Sequence, residues 1–224
     1  MVKLARIKTR KTRRYRGRTT DELKAERRER LLDTGLALFS ERGYANTPIE
    51  LICSTARVTT RHFYQQFKGR EALLTALLLK ILEEVGQKIT RELSDESISV
   101  SDRMTHAVRA GSDYLLQDPR RARIVCIESV GVSPEMEKLR RQIIQNLAHM
   151  MQQYSERMAK EGLIPERDFY FPAIALVGAT LELLIEAVSE DGKLAPEDFG
   201  RELLLIMRAL QIGAQQYPQK AARK

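Results

Sequence analysis

The sequence predicts an all-α fold of about nine helices, a small three-helix headpiece followed by a larger helical body. Three observations predict it. Apolar residues recur at the three- and four-residue spacing of a single helix face along most of the chain. No strand-like alternation of useful length interrupts them, and Gly, Pro and Asp fall where helices should start and stop. With 43% hydrophobic residues in 224, there is enough apolar material to bury a core.

The first helix falls at about 21–42, where Leu31, Leu32, Leu36, Leu38 and Phe39 share a broad face and Gly43 supplies the stop. A short helix follows at about 48–55, with Thr47 as N-cap and Pro48 in the first turn, where a missing N–H costs nothing. After a tight turn at Arg57-Val58, Thr59 caps a third helix at about 59–66. Gly69 separates it from a long helix at about 70–93, whose apolar face carries Leu73, Leu74, Leu77, Leu78, Ile81 and Leu82. A linker over 94–101 leads to helices at about 101–117, 119–129, 133–161, 167–190 and 196–214. Ser133-Pro134-Glu135 is the clearest start signal: a cap, a first-turn proline, then an acid at the positive end of the helix dipole.

The net charge of +8 is not spread over the fold. Residues 1–20 hold nine Lys and Arg and no acid, which leaves 29 basic against 30 acidic residues in the remainder. The basic excess is an arm. Its few apolar residues cannot offset the entropy of ordering it, so it is a segment suited to a polyanion or, alternatively, a solubilising tail. No apolar stretch follows the charges as in a signal peptide. The longest apolar run, about Phe171 to Leu181, is shorter than the ~20 residues that span a bilayer, so a cytoplasmic protein without membrane contact is expected. Cys53 and Cys126 lack CxxC spacing and sit among apolar neighbours, which suits buried thiols; a redox role is left open. His62, His106 and His149 lie far apart, and no nucleotide, phosphate-loop or nucleophile-elbow motif occurs. No metal, cofactor or enzymatic activity is expected.

Two short helices joined by a tight turn and preceded by an amphipathic helix form a helix-turn-helix. Ile49, Ile52, Cys53 and Ala56 can face inward, Val58 plugs the turn, and Phe63 and Phe67 anchor the third helix from beneath. Thr60, Arg61 and Tyr64, with Gln65 beside them, are left on the opposite face. Such residues suit a major groove: Arg for guanine, Gln for adenine, Thr for a methyl or phosphate, Tyr for a phosphate.

The run from Thr47 to Leu73, TPIELICSTARVTTRHFYQQFKGREAL, resembles the headpiece of TetR/AcrR regulators, with Thr47, Ile52, Ala56, Val58, Thr59, Phe63, Tyr64, Phe67, Arg70 and Leu73 in register. The preceding RERLLDTGLALFSERGY, residues 28–44, is similar to the family's first helix, so about 50 residues are covered. The resemblance implies phosphate contacts from Thr47, Thr59, Tyr64, Gln66 and Arg70, and base contacts from Thr60, Arg61 and Gln65. Three positions depart from the pattern. Cys53 replaces a usual Ala, Gln66 a common His, and Arg57 the turn's usual Gly, where a positive φ would strain it while offering a further phosphate contact.

In the body, Ile174, Val177, Leu181, Leu184, Ile185 and Val188 form one stripe, and Phe199, Leu203, Ile206, Met207 and Leu210 another. Part of each must be core. The resemblance implies that these two helices pair with their mates in a homodimer, and a two-fold axis lets short recognition helices read a palindrome. Ile174, Val177, Leu181, Leu184, Ile185, Phe199, Leu203, Met207 and Leu210 are the expected interface. Four of seven methionines lie on the 133–161 helix, an adaptable lining for an irregular cavity. His106, Tyr114, Glu128, Met150, Tyr154 and Glu182 are the candidate pocket residues.

These readings give a basic arm at 1–20, a DNA-binding headpiece at 21–70 and a ligand-binding, dimerising body at 71–224. The expected function is transcriptional repression, with release from a palindromic operator when a small apolar effector of unknown identity binds. The alternatives are a DNA-binding regulator without small-molecule response and a basic-armed architectural nucleic-acid-binding protein.

Overall fold

The structure, a computed structural model, describes residues 19–216. Among the described residues it is helical throughout: α1 (Thr20–Arg42), α2 (Ile49–Ala56), α3 (Thr60–Tyr64), α4 (Arg70–Leu93), α5 (Val100–Leu116), α6 (Pro119–Arg123), α7 (Pro134–Lys160), α8 (Tyr170–Val188) and α9 (Phe199–Gln216). The basic arm lies outside the described residues except at its last two positions, which are already committed to α1. Thr19 is the N-cap, its Oγ1 accepting the Glu22 N–H at 3.2 Å while the Glu22 carboxylate accepts the Thr19 N–H at 2.6 Å. This reciprocal capping box starts the helix one residue early.

Three boundaries differ from the periodicity for local reasons. The expected 119–129 helix is a five-residue α-helix continued by a π-helical turn, Ile124–Glu128. The Val125 carbonyl there accepts Arg140 Nη1 of α7 at 2.7 Å and Ser129 Oγ at 3.0 Å, bonds that hold the wider turn. Helix α8 starts at Tyr170 rather than 167, where the Asp168 carboxylate accepts the Tyr170 N–H at 2.9 Å. Helix α3 stops at Tyr64 because the N–H groups of Gln66 and Phe67 both turn onto the Phe63 carbonyl. The Ser133 signal holds: its Oγ accepts the Met136 N–H at 3.0 Å and donates to Glu71 of α4 at 2.6 Å.

Helix α4 is the spine. Its first turns, Leu73 and Leu74, are buried with Leu31, Phe39, Ile52 and Phe63 of the headpiece, and its later turns carry Ile81, Val85 and Ile89 into the body. The same apolar cluster continues through Ile124, Met136, Leu184 and Phe199. A boundary at 70/71 therefore cuts a shared element. Helices α4 and α5 pack most extensively, and Gly111 lets them approach: a Cβ there would sit 3.1 Å from Ile89 Cγ1. Helix α8 packs on α7, α9, α6 and the π-turn. At 19 residues it is, by length and composition alone, able to cross a membrane, although Glu182 and Glu186 interrupt its apolar run after Leu181; 22% of its most apolar window is buried.

Candidate nucleic-acid interface

Helices α2 and α3 meet at a turn whose centre, Arg57, has φ 52° and ψ 44°. It is the one non-glycine residue with positive φ among the described residues. The N–H of Arg57 reaches the Ser54 carbonyl at 3.2 Å and that of Val58 the Cys53 carbonyl at 3.0 Å, closing α2 with bonds a glycine would make without strain. Val58 is buried in the turn, and Phe63 and Phe67 pack as a tilted pair with centroids 5.8 Å apart. This apolar underside leaves Thr60, Arg61, Tyr64 and Gln65 exposed on one side of α3, Tyr64 by 56%. Arg57 and Thr59 are exposed beside them. Thr59 caps α3, its Oγ1 accepting the His62 N–H at 3.3 Å and contacting His62 Nδ1 at 2.9 Å.

Three expected contact residues are placed differently. Thr47 is 0% exposed, and its Oγ1 donates to the Gly43 carbonyl at 2.8 Å and faces that of Leu38 at 3.3 Å. It does not cap α2; Pro48 occupies the N-cap without a side-chain bond, and Thr47 ties the loop back to α1. Arg70 is half-buried, its Nη1 donating to the carbonyls of Ala45 at 3.1 Å and Thr47 at 3.2 Å, its guanidinium stacked 4.3 Å from the Tyr44 ring centroid. It is a strut under the α1–α2 loop rather than an outward cation. Gln66 is half-buried and donates Nε2 to the Lys24 carbonyl at 3.3 Å, fastening α3 to the start of α1. Burial pushes the Cys53 thiol up, partly opposed by its hydrogen bond with Thr60. Burial likewise pushes Cys126 up to about 12, which keeps it a protonated thiol.

The body differs from expectation in two places. A partly open, mostly apolar cavity of about 250 Å³ lies between α5, α7, α8, α9 and the 161–169 loop. None of the six pocket candidates lines it. His106 is exposed with Nδ1 4.0 Å from Glu92, and Glu182 is exposed on α8. Tyr114 lies under the Arg121 guanidinium at 4.2 Å, where burial raises its phenol. Tyr154 is buried but turned to α5, its hydroxyl donating to the Val100 carbonyl at 2.7 Å. Met150 is packed against the core and does not line the cavity, whereas Met151 and Met158, two of the four methionines the sequence places on this helix, do. Glu128 instead joins body to headpiece: Oε2 accepts the Tyr44 N–H at 2.8 Å, and Oε1 lies 3.7 Å from Arg123 Nη2. Arg123 Nε in turn donates to the Ser40 carbonyl of α1 at 3.1 Å. Sequence reasoning missed this latch, which spans 84 residues and leaves no local signal.

Of the expected interface, Val177, Leu184, Phe199, Leu203 and Met207 are buried within the chain and belong to its own core. Ile174, Leu181, Ile185 and Leu210 are half-buried against that core. The outward face of α8 and α9 carries Phe171 (68% exposed), Leu205 (63%) and Ile212 (53%), with Ala175 and Gly178 exposed between.

A short recognition helix on a buried apolar base, joined through a shared spine to a helical bundle, defines a helix-turn-helix regulator architecture. The profile of the TetR-family N-terminal domain, described as bacterial regulatory proteins, tetR family, matches residues 31–77. Over those residues the chain carries this family's DNA-binding domain. It is 35% identical over 92 residues to the HTH-type transcriptional regulator HbdR of Aromatoleum sp. (strain CIB), covering 41% of this chain and 40% of that protein. It is 30% identical over 71 residues to the HTH-type transcriptional repressor DhaR of Mycobacterium sp. (strain GP1), covering 32% and 36%. The matches thus span less than half the length of these curated relatives. In fold it is similar to a TetR-family regulator of Syntrophomonas wolfei (TM-score 0.74, 23% identity, 84% of this chain and 96% of that one). It is similar also to the transcriptional regulator FadR of Bacillus subtilis, solved in complex with stearoyl-CoA (TM-score 0.68, 20% identity, 83% and 98%).

Proposed function

We propose that the chain is a homodimeric, DNA-binding transcriptional repressor that leaves its operator when a small molecule binds the body. The observation that carries the DNA-binding reading is the exposed set Thr60, Arg61, Tyr64 and Gln65 on one side of α3, held by a buried aromatic base. Arg61 is the base-reading residue, bidentate to guanine, with Gln65 and Thr60 beside it; Arg57, Thr59 and Tyr64 approach phosphates. Repression accords with the repressor DhaR, and effector response with FadR and its bound acyl-CoA. The dimer forms through the outward face of α8 and α9, where Ala175 and Gly178 allow close backbone approach and Phe171, Leu205 and Ile212 supply apolar area.

The test is titration of operator duplexes selected from a random pool. The wild-type protein is expected to bind a palindrome as a dimer, and Arg61→Ala to lose about 1–3 kcal/mol of specific binding while retaining non-specific affinity. Selection that yields no palindrome, or an Arg61→Ala protein with unchanged sequence preference, removes the assignment.

A further inference from the structure

We propose that Met104, Met151, Met158 and Met207, gathered around the partly open cavity of the body, form a site of reversible oxidation by small hypohalous acids. The effect on DNA binding rests on the reading above; the oxidation does not. The chain has seven methionines, and four of them line this one space: Met104 from α5, Met151 and Met158 from α7, and Met207 from α9. Met151 and Met158 are seven residues apart, two turns along one face of α7. At about 250 Å³ the cavity has room for several molecules of the size of water, which takes about 30 Å³ in the liquid. Hypochlorous acid, only one chlorine atom larger, can therefore reach sulfurs that the outer surface hides.

The other sulfurs are worse placed. Cys53 and Cys126 are buried and line no part of the cavity. Burial holds both as protonated thiols, and the thiolate is the reactive form of cysteine. A thioether has no proton to lose, so access alone governs its oxidation. Met136, 2% exposed, and the half-buried Met150 both lie off the cavity and serve as internal references.

In the reaction a lone pair of the thioether sulfur forms an S–O bond as the O–Cl bond of hypochlorous acid breaks. Sulfur gives up two electrons, chlorine leaves with them as chloride, and the hydroxyl proton passes to water. The product is a strong hydrogen-bond acceptor where a weak one stood. Ser155 Oγ already donates to the Met151 carbonyl at 3.0 Å, so the Gln211 amide is the remaining side-chain donor on the lining. One sulfoxide is satisfied there. A second draws water into the space and forces α5, α7 and α9 apart, because a buried acceptor without a donor is costly. Methionine sulfoxide reductases reverse the change, which makes it a switch rather than a lesion.

The full chain, treated with a few equivalents of hypochlorous acid and mapped by peptide mass spectrometry, tests the site. Surface exposure alone protects Met151, Met158 and Met207, which are 5–8% exposed, much as it protects Met136. Access through the cavity should instead oxidise them together with Met104, about tenfold ahead of Met136. Oxidation of Met136 at the same rate overturns the proposal. So do cavity methionines still reduced once Met150 is oxidised, or cysteines consumed before any of them. Replacing all four by leucine conserves volume and removes the reactive sulfur. If that variant does not fold, Met151→Leu with Met158→Leu carries the same comparison. Oxidation should lower the operator affinity of the parent by about 5–150-fold, the range of ordinary allosteric coupling, and leave that of the leucine variant unchanged. Methionine sulfoxide reductases should restore the parent. An equal loss in the leucine variant, or no recovery in the parent, overturns the switch. A chain that binds no operator before treatment loses the regulator reading alone, since the oxidation map is read without DNA.

Discussion

Replacing Glu128 with Ala tests whether the body is bolted to the headpiece through the π-turn. The carboxylate is 9% exposed, accepts the Tyr44 N–H at 2.8 Å and lies 3.7 Å from Arg123 Nη2. A hydrogen bond to a charged group contributes about 1.5–3 kcal/mol net. Arg123 loses a partner but keeps the Ser40 carbonyl at 3.1 Å and is 28% exposed. Water therefore cushions it, and the about 3–5 kcal/mol of a fully buried broken pair is not reached. The expected loss is about 2–3 kcal/mol, read as a lower urea midpoint with unchanged m-value. Glu128→Gln retains an acceptor for Tyr44 but no charge for Arg123, and should lose roughly half as much. A double-mutant cycle with Arg123→Ala should give a coupling of about 1 kcal/mol. A Glu128→Ala protein within about 0.5 kcal/mol of the parent, the range of an ordinary surface change, would refute the latch.

Arg57→Gly removes a left-handed side chain costing about 1–2 kcal/mol and adds about 0.5–1 kcal/mol of unfolded-state entropy. Calorimetry should show a gain of up to about 1.5 kcal/mol, while loss of a phosphate contact lowers the salt slope of DNA binding by about 0.9 per subunit; an unchanged slope places Arg57 off the DNA. Phe171→Glu combined with Leu205→Glu should halve the mass seen in sedimentation equilibrium, and a persistent dimer would move the interface off this face. Deleting residues 1–18, which lie outside the described residues, should flatten the salt dependence of DNA binding without altering operator preference, since phosphate contacts carry little sequence information. The same slope in both proteins makes the arm a solubilising tail.

Helix positions were legible in the sequence because each helix buries a stripe, and stripes repeat at 3.6 residues. The aromatic base of α3 was legible for the same reason, as Phe63 and Phe67 are four apart. What periodicity cannot give is which neighbour covers a buried face. Helix α7 carries Met136, Met150, Met151 and Met158 on overlapping faces, and only the approach of α5 and α9 decides that Met151 and Met158 meet the cavity. Helix α8 is apolar nearly all round, so its pattern cannot separate Val177 and Leu184, turned inward, from Phe171, turned out. Thr47 misled by chemistry. A threonine before a proline reads as a cap, but the extended Pro48, φ −73° and ψ 158°, takes the cap position and turns Thr47 onto α1.

Helix α8 runs from the cavity to the arginine that holds α1. Its first turns, Pro172, Ala173 and Leu176, form a wall of the cavity, and its last carbonyl, Val188, faces Arg123 Nη1 at 3.4 Å. At a rise of about 1.5 Å per residue, Pro172 and Val188 lie about 24 Å apart on one rigid element. Arg123 is also the residue that holds Ser40 near the end of α1. An occupant that displaces the start of α8 along its axis is therefore felt at Val188, where the bond is long and yields first, before the shorter one to Ser40. Coupling of this kind is reciprocal: a molecule that weakens DNA binding by a given factor must itself bind the DNA complex more weakly by the same factor. Arg123→Ala cuts the link while leaving the cavity and the exposed face of α3 in place. It should preserve both binding events and abolish the factor between them, whereas a coupling that survives the substitution runs through the α4 spine instead.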